Sequence, residues 1–408
     1  MKKSKRATPP RRPGPATVPP PSFPVVGVGA SAGGLEAVTQ LLRNLPGDAR
    51  MALVLVQHLD PAQPSALVSL LSRITKLSVT EAGNGMRVQR GHVYVIPPNK
   101  VLGISKGTLR LLSRETAKEP HAPVNFFFRA LAEDQQDRAV GVILSGTGDD
   151  GSLGLEAIKA ADGITFAQTE KSAKHTGMPA SASGSADFIL PSEEIATELL
   201  RIASHPRSLQ TRMATAELAQ SDGTEFKDIY ALLRVHAGID FSNYKPNTLS
   251  RRISRRMVLL KMDSLARYVA RLRESPGELD ALFQDILISV TGFFSDSKVF
   301  EPLKKKIFPR ILRHKSSDEA VRVWVPGCST GEEVYSLAMA LAEFMDKAGK
   351  KCPIQLFGTD VNEAVLNRAR NAIYPDSIKA DISPGRLRRF FTSTDGGWRT
   401  FGSQKRNR

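Results

Sequence analysis

Cysteine is nearly absent. Cys328 and Cys352 are the only two in 408 residues, which excludes a disulfide framework and leaves too few thiols for a metal cluster. Aromatic residues make up 6% of the chain, with two tryptophans, and no aromatic platform accompanies the basic segments. No apolar run reaches the length of a membrane span, so no transmembrane segment is expected. Acidic residues are outnumbered by basic ones, 41 against 57, for a formal net charge of +16. The opening stretch "MKKSKRATPPRRPGPATVPPPSFP" has a basic start but lacks the apolar core of a signal peptide. It reads as a disordered, proline-rich basic tail over residues 1–22, and a cytoplasmic location is expected. Two more basic clusters follow, "TLSRRISRRMVLLK" at 248–261 and the terminal "SQKRNR". Without aromatic interleaving or zinc-finger spacing, nucleic acid is disfavoured. An acidic protein partner and a merely solvated charged face both suit the middle cluster.

At this length two domains are the expectation. From residue 23 to 203, short β-branched runs alternate with helical patterns: "FPVVGVG" leads into "GGLEAVTQLLRNL", and "AVGVILSG" into "GSLGLEAIKAA". Strand followed by helix, repeated, predicts an α/β domain with a doubly wound parallel sheet. The stretch "GHVYVIPPNKVLGISKGTLRLL" reads as a β-hairpin decoration. Residues 204–223 are polar and read as a linker, 224–315 as a helical domain, and 316–408 as a second strand–loop–helix unit.

The chemistry concentrates in "GVGASAGGLEA", residues 27–37. Gly29-Ala30-Ser31-Ala32-Gly33 fits the strand-to-helix turn that exposes a nucleophilic serine. Gly27, Gly29 and Ala32 fit a phosphate-binding dinucleotide loop almost as well, and a purely structural turn is the third reading. A nucleophile needs a base and an acid from neighbouring strand ends. Among seven histidines, His58 directly ends the apolar run "ALVLVQH". The loop "SGTGDDGSLG" ends another apolar run and carries Asp149 and Asp150. Paired aspartates there could orient an imidazole, hold a divalent ion or cap the next helix.

The stretches "GVGASAGGLEA", "VLVQH", "GHVYVIPP", "HAPVNFFFRALAE", "GVILSGTGDDGSLG" and "HTGMPASASGSADFILP" together resemble the catalytic domain of the chemotaxis protein-glutamate methylesterase (CheB) family. The resemblance implies Ser31 as nucleophile, His58 as base and Asp150 as acid, with no cofactor. It implies hydrolysis of glutamate γ-methyl esters on chemoreceptor helices, with glutamine deamidation as a related activity. Ala32 stands where the family usually has threonine, and Thr147 where methionine is common. The family's receiver domain is not expected before residue 23.

Further on, "VWVPGCSTGEEVYSLAM" is a strand, a glycine-bearing loop and a helix, and "IQLFGTD" is a strand ending in Asp360. That pattern suits a nucleoside cofactor without saying which. Glu332 and Glu333 equally suit the first turn of a helix, where acids complement the dipole. Together with "DIYALLRVHAGIDFSNYKPNTLSRRISRRM", "ILISVTGFF" and "GTDVNEAVLNRARNAIY", the stretch resembles the chemotaxis receptor methyltransferase (CheR) family. The resemblance implies S-adenosyl-L-methionine as cofactor, with contacts at Thr291, Glu332 or Glu333, and Asp360. It implies that 248–261 is a receptor-facing helix, its pairs Arg251/Arg255 and Arg252/Arg256 stacked at i, i+4, with Leu249, Ile253 and Leu260 turned to the core. Ser295 stands where the family places an arginine. The family's later strands are missing from this sequence, so an incomplete Rossmann-like sheet and an inactive methyltransferase half are expected. The resulting expectation is a sensory-signalling fusion whose esterase acts on chemoreceptors, with a sensory kinase or regulator as a further class of partner. A non-catalytic scaffold binding the same partners is the alternative.

Overall fold

The computed structural model describes residues 21–58, 66–114, 122–204, 224–242, 244–288, 291–394 and 397–400. Most of the expected tail, most of the expected linker and the terminal "SQKRNR" lie outside these residues.

Nine strands are described in the first half: β1 (Val25–Ala30), β2 (Ala52–Gln57), β3 (Ser78–Glu81), β4 (His92–Val95), β5 (Lys100–Ser105), β6 (Thr108–Ser113), β7 (Ala139–Ile143), β8 (Ile164–Gln168) and β9 (Phe188–Leu190). Seven form one parallel sheet in the order β3-β4-β2-β1-β7-β8-β9. The connecting helices are α1 (Gly34–Arg43), α2 (Leu67–Ser72), α3 (Pro123–Gln135), α4 (Ser152–Ala160), α5 (Gly177–Ala182) and α6 (Ser192–Ser204). On one face of the sheet Val26 and Val28 are buried with Leu41 of α1 and Leu199 of α6. On the other, Val25 and Val54 are buried with Phe127 and Phe128 of α3 and Leu155 of α4. Every residue of β1 is buried, as a central strand covered on both faces requires. The winding direction reverses between β1 and β7, which opens a crevice at the carboxyl ends of the strands.

One sequence expectation is corrected here. Only β5 and β6 form the hairpin; "HVYV" is β4 and pairs in parallel with β2 and β3 in the main sheet. Val93, Tyr94 and Val95 are all buried, which an exposed hairpin strand would not be. Tyr94 is accommodated because its hydroxyl donates to the Arg87 carbonyl at 3.2 Å.

The second half opens with α7 (Thr224–Ala237), α8 (Pro246–Leu259), α9 (Leu265–Glu274) and α10 (Pro276–Ile286). They bury Ile229, Leu233, Leu249, Ile253, Tyr268 and Leu282 between them. Next come α11 (Ser297–Pro302), a π-helical turn over Leu303–Ile307, and α12 (Phe308–Leu312). The unit that follows contains β10 (Val321–Pro326), α13 (Glu332–Lys347), β11 (Ile354–Thr359), α14 (Glu363–Asn371), β12 (Ile373–Tyr374), α15 (Pro384–Phe390), β13 (Phe391–Thr394) and β14 (Gly397–Thr400). Among the described residues β10 and β11 form a two-stranded parallel sheet, smaller than a full Rossmann-like sheet. Their cross-strand pair Trp324 and Phe357 is 68% and 52% exposed. A separate antiparallel sheet, β12-β14-β13, was not foreseen in the sequence.

The basic segment also departs from expectation. As expected, Leu249 and Ile253 are buried and Leu260 packs against the same core. The arginines, however, do not form a free charged face. Arg252 and Arg255 are 5% and 1% exposed and reach into the first domain. Arg252 donates to the Lys159 and Ala160 carbonyls at 2.9 and 3.0 Å. Arg255 donates to the Gly163 carbonyl at 3.0 Å and to the Asp187 carboxylate. Arg256 turns inward to Glu278 instead. Charge along a helix does not reveal what it faces; here carboxylates and carbonyls of the same chain neutralise it.

Candidate active site

Ser31 is the first residue after β1, on a loop that enters α1 at Gly34. Two glycines of the motif have distinct causes. Gly33 caps α1 at φ 71°, the left-handed region that favours glycine. Gly29 lies under α3: a Cβ there would come within 2.4 Å of Val124 Cγ1 and 2.8 Å of Ile143 Cδ1. The loop is pinned from β7's carboxyl end. Ser31 N–H donates to the Ser145 carbonyl at 3.0 Å. Ser145 Oγ donates to the Ala32 carbonyl at 2.9 Å and accepts from His175 N–H at 2.9 Å. Gly34 N–H is used by the Ser31 carbonyl. Among the described residues, Ala32 N–H, Gly33 N–H and Ser31 Oγ have no hydrogen-bond partner.

His58 follows β2 and Asp150 follows β7, so the three side chains stand on the ends of adjacent strands β2, β1 and β7. His58 Nε2 lies 2.8 Å from Asp150 Oδ2. Asp150 is 8% exposed and sits against the N-terminus of α3. Its Oδ2 accepts Val124 N–H at 3.0 Å and its Oδ1 accepts Asn125 N–H at 2.9 Å. Those are helix donors with no partner inside the helix, and the dipole favours an anion there. With both oxygens engaged by N–H groups, the Asp150 carboxylate is held in a fixed orientation beside the His58 imidazole. Asp149 makes no such contacts; burial, reinforced by the neighbouring Asp150 charge, pushes its carboxyl above the usual range.

A cleft of about 720 Å³ is lined by Ser31, Ala32, Gly33, Glu36, His58 and Lys174, among others. Three contributors went unassigned in the sequence. Asn125 is buried at 1% exposure, and its Oδ1 accepts from Gly151 and Gly154 N–H at 3.0 and 2.7 Å. It thereby joins α3 to the start of α4 beside Asp150. The signal for it was a lone amide in the apolar run "PVNFFF". Ser145 lay within the aspartate loop's own motif. Lys174 had no sequence signal.

The second candidate site lies at the carboxyl ends of β10 and β11. Asp360 Oδ2 accepts Ser329 N–H at 2.8 Å, and its Oδ1 accepts Asn362 N–H at 2.9 Å. Asp360 therefore shapes the loop between β10 and α13. Glu332 opens α13 and accepts from Thr330 Oγ1 at 2.5 Å, and burial pushes its carboxyl above the usual range. Glu333 is exposed. Thr291 makes no hydrogen bond to a described residue; its segment is tied to α13 by Phe294 N–H donating to Ser336 Oγ at 3.0 Å. A Cβ on Gly327, at φ 66°, would meet nothing within 4 Å. The loop backbone is open at that position.

Comparison with known proteins follows the same division. Residues 26–199 match the family profile described as CheB methylesterase. Residues 224–287 match the CheR methyltransferase all-alpha domain, and 289–408 the CheR methyltransferase SAM-binding domain. A Rhodobacter capsulatus protein named "Uncharacterized 104.1 kDa protein in hypE 3'region" is 33% identical over 354 residues, 81% of this chain and 37% of its own. A protein-glutamate methylesterase/protein-glutamine glutaminase 2 of Burkholderia lata is 40% identical over 200 residues, 47% of this chain and 59% of its own. The chain thus spans between about a third and three-fifths of these relatives' length. The solved Thermotoga maritima CheB methylesterase catalytic domain aligns at 30% identity over 44% of this chain and 99% of its own, with a TM-score of 0.41. The chain joins a domain of the CheB methylesterase family to the two domains of the CheR methyltransferase family.

Proposed function

We propose that the first domain hydrolyses glutamate γ-methyl esters on chemoreceptor helices through Ser31, His58 and Asp150, and deamidates glutamine by the same route. The observation that carries this reading is the 2.8 Å contact between His58 Nε2 and Asp150 Oδ2 beside Ser31 in one cleft. A carboxylate accepts, so Nε2 carries the proton and Nδ1 is the free base. Nδ1 takes the Ser31 hydroxyl proton as Oγ attacks the ester carbonyl. The developing oxyanion meets Ala32 and Gly33 N–H, the unpaired donors at the start of α1. Collapse expels the alkoxide, which takes the imidazolium proton and leaves as methanol. Water, deprotonated by Nδ1, then cleaves the acyl-enzyme to free glutamate and Ser31. With a glutamine substrate, ammonia is the leaving group. Asp150 stabilises the imidazolium at each stage from its fixed place on α3. No step of this sequence requires a cofactor.

In the second half, the open loop at Gly327 and the acids at the strand ends fit S-adenosyl-L-methionine. Asp360 and Glu332 would hold its polar groups, with Glu332 better placed than the exposed Glu333 and Thr291 at the margin. Bound there, the group supplies an electrophilic methyl. The chain's own part is to fix the loop, through Asp360, and to bury the acid at the helix start. Chemoreceptor helices are the partner proposed for both halves, and the cytoplasm the location.

A fluorophosphonate tests the nucleophile. Peptide mapping should place the adduct on Ser31 and show it absent from His58→Gln. Labelling elsewhere, or labelling indifferent to His58, would contradict the assignment.

A further inference from the structure

We propose that the two halves of the chain are locked into one rigid body by α8, whose occupant is the α4–β8 corner of the methylesterase domain. The lock is built of buried charged groups that pair across the junction. Arg255 is 1% exposed and spans the junction. Its Nη1 donates to Asp285 of its own domain at 2.6 Å, its Nε to the Gly163 carbonyl at 3.0 Å, and its Nη2 to Asp187 across the interface. Asp187 is itself buried and accepts Thr165 N–H at 3.0 Å. Drawing the halves apart would break the Arg255–Asp187 pair and the contact with Gly163, leaving each charge with only the partner of its own domain, Asp285 for Arg255 and Lys159 for Asp187.

Arg252 adds a second anchor. Among the described residues its hydrogen bonds and ion pair go to the methylesterase domain: the Lys159 and Ala160 carbonyls and Asp162, the last an ion pair at 3.0 Å. The two carbonyls lie at the end of α4, where helix acceptors lack intrahelical donors. Arg252 supplies donors for them and a cation for the negative end of the dipole. Apolar contact continues the interface, since Val258 and Leu259 of α8 pack against the core shared by α1 and α6. Arg201 of α6 donates to the Val258 carbonyl at 3.1 Å.

The lock bears on one helix. α4 begins beside Asp150 and ends at the carbonyls held by Arg252. While the halves are docked, the buried arginines are also withheld from any other acidic partner.

The test nicks the full chain. A site-specific protease sequence is inserted within 205–223, and the cleaved protein is run on a size-exclusion column. The lock predicts that both fragments co-elute at the volume of the intact chain, and that cleaved Arg252→Glu yields two separate peaks. Among the described residues the hydrogen bonds and ion pair of Arg252 go to the methylesterase domain, so the variant removes contacts across the junction rather than within the helical core. Separation of the cleaved wild type overturns the proposal outright, and that arm needs no variant. Co-elution of a folded, cleaved Arg252→Glu overturns the role of the arginines. A variant that fails to fold leaves the wild-type arm decisive.

Discussion

His58 presents Nε2 to Asp150 Oδ2 at 2.8 Å, and that one contact decides which nitrogen is left for Ser31. The acid is fixed from behind by Val124 and Asn125 N–H, so the imidazole is held by α3 rather than by a neighbouring loop. Among the described residues Ser31, by contrast, is held through its backbone.

Removing the charge while keeping the size of the acid should therefore act on the chemical step. Asp150→Asn is expected to lower kcat by about 10³–10⁴-fold, the scale of a triad acid, with little change in KM. Steady-state hydrolysis of a methyl-ester substrate checks this. A loss confined to KM would mean that Asp150 serves binding instead.

Gly29→Ala should be felt in both stability and rate. The new methyl would press on Val124 Cγ1, 2.4 Å away, and push on the first turn of α3 that holds Asp150. An overpacking cost of about 1–3 kcal/mol is expected, with a melting temperature lower by several degrees. Calorimetry and kcat should fall together. An unchanged melting temperature would show that α3 can retreat freely.

Acid should loosen the junction between the halves. Burial alone would raise the Asp187 carboxyl, but Arg255 and Lys159 outweigh it and hold the group below the usual range. Glu198 is lowered against burial by Lys261 and Arg201. A folded-state pKa below the unfolded one gives stability that is present above the unfolded value and lost as pH falls through the folded one. Thermal stability should hold at neutral pH and decline below about pH 4, and Asp187→Asn should flatten that decline. A wild-type profile flat from pH 6 to pH 3 would contradict the account.

Much of the fold was legible because strand-to-helix alternation and glycine-bearing turns are local signals. Ser31, His58 and Asp150 could each be placed at a strand end from sequence, and they do occupy adjacent ends of one sheet. What escaped was non-local. "HVYV" looked like a hairpin strand because nothing in four residues says that both faces will be covered. Asn125 carries no local signal, because its tie to the start of α4 is made to residues 26 and 29 positions away. Arg252 and Arg255 looked like a surface because charge normally seeks water. Only the docked partner, with its helix-end carbonyls and Asp187, explains their burial.

The central claim is that Ser31 is the nucleophile of a methylesterase. It is tested most directly by measuring methanol released from methylated receptor membranes, with the protein and with Ser31→Ala side by side. The account predicts steady release by the wild type and none above background by the variant. Equal release from both, or none from either, would contradict it.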